Sequence, residues 1–165
     1  MTVAATTLLT AATGLADVLS DAAVAYGWTP SQVCVTPVEP GFGCDEIHVW
    51  FGGIRPDTVR GAPDCEVASI VELSWAVSHC IGANRVESCA WWGEAGRTDE
   101  ALARLWVVWG GLVVAQTTGV LCTALGARSC RDVSLGPVGR FESGDLAVYS
   151  GTVSVRLDVT TVGGS

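Results

Sequence analysis

The sequence predicts an α+β domain in two layers: a mostly antiparallel sheet of about four to five strands, with two helices packed on one face. Three observations carry this reading. Apolar residues recur at helical spacing in two separated stretches, residues 6–26 and 98–125. They alternate at period two elsewhere, most clearly over residues 65–81 and 152–159. The resulting order is helix, two or three strands, helix, two strands, and strands that mostly neighbour in sequence can pair antiparallel beneath helices that share one face.

In the first helix Leu8, Leu9, Ala12, Leu15, Ala16, Leu19, Ala22 and Ala23 are spaced by three or four. Gly27 is its stop signal, and Thr13, Asp17 and Asp21 form its polar face. The period then changes. Val33 and Val35 alternate, a Pro/Gly-rich connection spans residues 37–43, and Ile47, Val49 and Phe51 alternate again, giving two strands joined by a loop. A second loop covers residues 55–63.

Residues 65–81 carry the longest strand signal. Val67, Val71, Leu73, Trp75, Val77 and Ile81 lie on one face, with Glu66, Glu72, Ser74 and Ser78 on the other. Such a stretch exceeds the usual strand, so it projects beyond the domain or bends. Residues 82–97 are polar and irregular except for "CAWW" at 89–92. There Trp91 and Trp92 are either a lid on the core or an exposed partner contact, and contact is the reading taken, because aromatics are enriched at interfaces.

Thr98, followed by Asp99 and Glu100, starts the second helix with a capping residue and two acids in the first turn. Leu102, Leu105, Trp106, Trp109, Leu112 and Val113 form a stripe that reads as core. A kink is expected at Gly110 and Gly111, with the helix continuing to about Leu125 before Gly126. Two strands close the chain. Residues 129–141 make the first, with Pro137 marking an edge or a bulge. In the second, Val153, Val155, Leu157 and Val159 oppose Thr152, Ser154, Arg156 and Asp158, and "ESGD" between the two is a hairpin turn.

Length fits one domain, residues 1–165. Hydrophobic residues make up 49% and charged residues 16%, which means either surface for oligomerisation or a thick core. All nine basic residues are Arg, as in GC-rich coding. A net charge of −8 argues against general DNA binding or membrane-surface binding, though an acidic wall lets a polyanion slide past. The N-terminus lacks the basic region of a secretory signal, and "LWVVWGGLVVA" is too short for a membrane span, so a soluble, intracellular chain is expected.

Seven cysteines without a C-x-x-C spacing predict buried reduced thiols and no metal site. His48 and His79 each sit within an alternating strand pattern. No G-x-S-x-G, P-loop or H-E-x-x-H is present, "GPVGRFESG" reads as a hairpin, and Cys80 and His79 point to opposite faces of a strand. No catalytic residue and no cofactor are therefore expected.

The N-terminal Ala-rich helix, the long central strand, the helix opening "TDEALARLW" and the closing "GDLAVYSGTVSVRLDV" together resemble the tail terminator and neck proteins of long-tailed bacteriophages (siphoviruses). The resemblance is one of element order over most of the chain. It implies a non-enzymatic structural virion protein that forms a ring, usually a hexamer, on the last ring of the major tail tube protein. Such a ring ends tube polymerisation during tail assembly and joins the tail to the head-to-tail connector or stopper protein. DNA passes through its lumen without specific binding.

The implied location is the head–tail junction of the virion, after assembly in the host cytoplasm, with no membrane involved. On this reading Trp91, Trp92, Val153, Val155 and Leu157 are interface candidates, and Asp45, Glu46, Asp57 and Asp64 are lumen candidates. A head-completion or stopper protein is the neighbouring alternative. A small intracellular enzyme or ligand-binding domain, with its site in a cleft between helix and sheet, is the alternative from another class.

Overall fold

The computed structural model describes residues 3–57, 68–80, 97–143 and 146–158. α1 (Val3–Ala25) turns Ala11, Leu15, Ala16, Leu19 and Ala23 inward and leaves Thr13, Asp17 and Asp21 exposed. It ends where Gly27 enters the left-handed region at φ 82°. There the Trp28 N–H donates to the Ala23 carbonyl at 3.0 Å and the Gly27 N–H to that of Val24 at 3.0 Å. This pair of bonds satisfies last-turn carbonyls and needs a residue without a Cβ penalty at Gly27. Thr6–Ala25 is long and apolar enough to meet a membrane-span criterion, with mean hydropathy 1.4, but its inward face is spent on the core.

Among the described residues six strands form one mixed sheet: β1 (Gln32–Thr36), β2 (Glu46–Pro56), β3 (Ala68–Cys80), β4 (Val133–Leu135), β5 (Gly139–Ser143) and β6 (Leu146–Asp158). The order is β1-β2-β3-β6-β4, with β5 also pairing β6. The β3–β6 ladder runs from Ala68 opposite Asp158 to Cys80 opposite Leu146. Every pair is antiparallel except β1–β2, which is parallel. Residues 37–45, with Pro37, Pro40, Gly41 and Gly43, do not close a hairpin. They carry the chain back so that both strands run the same way.

Ile47 and Val49 face the helices, so His48 and Trp50 point to the opposite face. Phe42, from the returning connection, meets that face edge-on at 5.3 Å from the His48 ring, 6.1 Å from Trp50 and 5.7 Å from Phe141. This end of β3 is consequently buried on both sides: Ala76, Ser78 and His79 are buried along with Trp75 and Val77, where the sequence alternation predicts one open face.

α2 (Arg97–Thr117) runs unbroken through Gly110 and Gly111, so the expected kink is absent. The break comes at Gly119, φ 82°, after which α3 (Val120–Ala124) forms a separate short helix. Gly111 serves close packing instead, since a Cβ there would lie 2.2 Å from the Ala22 Cβ of α1. Contacts of Trp28 with Arg104, Ala22 with Gly111 and Gly14 with Ala124 fall in reverse chain order, so α2 and α3 run antiparallel to α1.

All three helices cover one face of the sheet. The core joins Leu15 and Leu19 of α1, Val108 and Leu112 of α2, and Leu121 and Leu125 at α3 to Ile47, Val71, Leu73 and Trp75. Val153, Val155 and Leu157 of β6 belong to the same core at 0%, 0% and 4% exposure. Their burial, about 1.5–3 kcal/mol per side chain, is spent inside this chain rather than on a subunit boundary.

The expectation of reduced thiols is corrected. Cys44 is disulfide-bonded to Cys80 and Cys122 to Cys130, with Cα–Cα separations of 5.1 Å in both. Among the described residues Cys34 is the free cysteine, and it is half-buried. Cys65 and Cys89 lie outside the described residues.

Candidate functional site

Chemistry-bearing side chains gather where β2 begins and β3 ends, on both faces of the sheet. On the helix side is Asp45, held at φ 58°, a left-handed conformation that Asp tolerates better than most residues. Its Oδ1 accepts from His79 Nδ1 and from Arg104 Nη1, and that Nη1 lies 2.7 Å from the His79 nitrogen. The Arg104 guanidinium also sits 5.1 Å from the centroid of the Trp28 ring, a cation–π contact.

Partial burial alone would raise the Asp45 carboxyl. The hydrogen bond from His79 and the charge of Arg104 outweigh it, and the net shift is downward. Asp45, His79 and Arg104 thus fasten α2 to the start of β2 and the end of β3. An Asp–His pair can orient an imidazole for proton transfer, but here Arg104 shares the same carboxylate oxygen, which favours a structural clasp.

On the opposite face Glu46 Oε2 accepts from the Gly43 N–H at 2.7 Å and from His48 Nε2 at 2.7 Å. The Ser78 hydroxyl donates to the Gly43 carbonyl at 2.6 Å and accepts from the Glu46 N–H at 3.2 Å. Cys34 stands opposite His48 in the β1–β2 register. Burial, and then the negative charge of Glu46, push its thiol up. That favours the protonated form over the thiolate a nucleophile needs. Cys80, the cysteine beside His79, is committed to its disulfide.

Three of the four lumen candidates are therefore engaged within the chain. Asp45 is held by His79 and Arg104, and Glu46 by His48 and Gly43. Asp57 accepts from Arg156 Nε at 2.6 Å, with Asp132 at the edge of the same group, 4.0 Å from Arg156 Nη1. Asp64, Trp91 and Trp92 lie outside the described residues. No group of three or more metal-ligating side chains occurs among the described residues.

Two apolar surfaces stand out among the described residues. On α2, Trp106 is 74% exposed, and Val113 and Val114 are exposed with it. The sequence stripe assigns Trp106 and Val113 to the core, whereas Val108, Leu112 and Ala115 on the other side of the helix are the buried residues. The second surface is a groove of about 320 Å³ between the first half of α1 and the β1 edge. Thr36 is the one polar residue lining it among those described.

Sequence reasoning missed the clasp, because its members are 34 and 59 residues apart, and it missed the exposed face of α2. Only Glu46 and His48, two apart on one strand, left a local signal. No protein-family model matches the chain, and no curated protein matches it.

Proposed function

We propose that this chain is a non-enzymatic structural protein that assembles into a ring, of the tail terminator type found at the head–tail junction of long-tailed phages. The observation that carries the assembly part is the exposed apolar side of α2 formed by Trp106, Val113 and Val114. Large aromatic side chains left in water are characteristic of interfaces. The phage assignment comes from the resemblance in element order. In that role a ring, usually of six copies, caps the major tail tube protein and meets the connector or stopper protein, while DNA crosses its lumen. Net negative charge on every copy suits such a channel, because it keeps a polyanion from adhering. A head-completion or stopper protein is the neighbouring reading within the same class.

The test is mass in solution across a concentration series, by light scattering behind a sizing column, with and without tail-tube protein. A closed species near six subunits, alone or on mixing, supports the joining role. A monomer or dimer that ignores tube protein overturns it.

The groove beside α1 favours one second reading, a small-molecule-binding domain, since clefts between helix and sheet are common ligand sites. That reading predicts convergent polar groups, and among the described residues the groove offers only Thr36.

A further inference from the structure

The Cys122–Cys130 disulfide joins a buried residue to an exposed one. Cys122 is 4% exposed and belongs to the core, whereas Cys130 is exposed. Both line an open depression of about 630 Å³, together with Thr118, Thr123, Arg128 and Ser129. Its size falls within the range of small-molecule sites, about 300–1,000 Å³. Gly119 lines it too, and a Cβ there would stand 3.7 Å from Cys130 Sγ. A glycine at this point borders the sulfur without a side chain to cover it.

The chain as a whole is acidic, yet the charges beside this bond are basic. Arg128 lines the depression and Arg131 follows Cys130 directly, and both are exposed. Asp132, the sole acid from Thr118 to Val133, lies 4.0 Å from Arg156 Nη1 and so has a cation of its own. Positive charge beside a disulfide attracts an incoming thiolate and stabilises the one that leaves. At the other disulfide the exposed cysteine, Cys44, is followed instead by Asp45 and Glu46.

We infer that Cys122–Cys130 is a thiol–disulfide exchange site for small anionic thiols of the glutathione kind, with Cys130 the sulfur attacked and Cys122 the resolving cysteine. The incoming thiolate attacks Cys130 Sγ. A mixed disulfide forms there as the Cys130–Cys122 bond breaks, and the electron pair of that bond leaves on Cys122 Sγ, which takes a proton from water. One small thiol and one protein disulfide thus become one mixed disulfide and one protein thiol, so no separate oxidant or reductant is consumed. Leu121 and Leu125, both fully buried, hold α3 in place while the bond is open. Cys122 therefore stays within reach of Sγ. When the small thiol is withdrawn, Cys122 attacks the mixed disulfide, expels the thiolate and restores the original bond. The depression is open, so the covalent bond rather than surface burial holds the adduct. This site does not rest on the function proposed above.

The oxidised full-length chain is the test material. Its free thiols are capped with N-ethylmaleimide, the reagent is removed, and the chain meets either glutathione or cysteamine, a cationic thiol, at low salt. Samples are stopped with acid, labelled with isotopically heavy maleimide and mapped by mass spectrometry. The expected early product carries glutathione on Cys130 and the heavy label on Cys122, with Cys44–Cys80 still closed. Arg128→Gln, at an exposed position, slows the glutathione reaction about threefold and leaves that of cysteamine no slower. Raised salt does the same to the wild type, which makes the charge dependence readable without any substitution. A Cys122–Cys130 bond that stays closed in excess glutathione, or that opens only after Cys44–Cys80, overturns the site. Glutathione found on Cys122 overturns the assignment of the two sulfurs. Equal responses of the two thiols to salt and to Arg128→Gln overturn the selectivity for anionic thiols.

Discussion

Gly151 faces Trp75 directly across the β3–β6 ladder, and a Cβ on Gly151 would sit 2.8 Å from the indole Cζ2. Trp75 is fully buried, so its ring has nowhere to withdraw. Gly151→Ala is expected to cost about 1–3 kcal/mol through overpacking, measured by urea denaturation. In the double variant with Trp75→Leu the effects should fall short of additive, because the smaller side chain makes room for the methyl.

The two faces of α2 should respond in opposite ways to truncation. Leu112→Ala, on the fully buried side, is expected to cost about 2–5 kcal/mol. Trp106→Ser, on the exposed side, should leave the unfolding free energy of the separated chain within about 0.5 kcal/mol. Denaturation at low protein concentration checks both. A large loss for Trp106→Ser would mean that its ring packs within its own subunit.

Asp45 gives the fold an acid-sensitive contact. With its carboxyl lowered below the usual value, the folded chain takes up that proton less readily than the unfolded chain. The contribution is complete above the ordinary Asp range near pH 3.9 and is lost as pH falls through the lower folded value. Its side chain is 37% exposed, so solvent screening keeps the effect small, about 1 kcal/mol or less. Asp45→Asn keeps a residue that tolerates the left-handed backbone while removing the charge. The stability gap between wild type and Asp45→Asn should therefore shrink below about pH 4.

The two disulfides among the described residues close loops of different size, with sequence separations of 36 and 8. Chain-entropy reasoning assigns about 4 kcal/mol to Cys44–Cys80 and about 2.5 kcal/mol to Cys122–Cys130. Cys44→Ser should accordingly lower the melting temperature more than Cys130→Ser under oxidising conditions. Both differences should vanish in reductant, which checks that the bonds themselves are responsible.

Patterns local in sequence were legible. The Gly27 stop of α1, the alternation of β6 and the Val71–Leu73–Trp75–Val77 row of β3 all follow from the positions of side chains along a few residues. The parallel pairing of β1 with β2 was not legible, because alternation says which residues share a face and nothing about direction. Nor could spacing find the solvent side of α2, whose apolar residues surround it: Trp106 and Leu112 look equally inward until a neighbour is present. The Asp45–His79–Arg104 clasp and the Cys44–Cys80 disulfide join positions far apart in the chain, and no repeat or motif announces them or the shorter Cys122–Cys130 link.

The β3–β6 ladder also governs the order in which the chain can fold. β1, β2 and β3 form one contiguous sheet segment and β4, β5 and β6 another, and the thirteen-residue strands β3 and β6 are the seam between them. Closing that seam brings together residues 66 to 90 positions apart, with both later helices in the intervening loop. Such non-local pairing gives its reward only after the loop entropy has been overcome. Neither half of the sheet covers a complete core before β6 arrives, so the strand at the far end of the chain is the one that completes the fold.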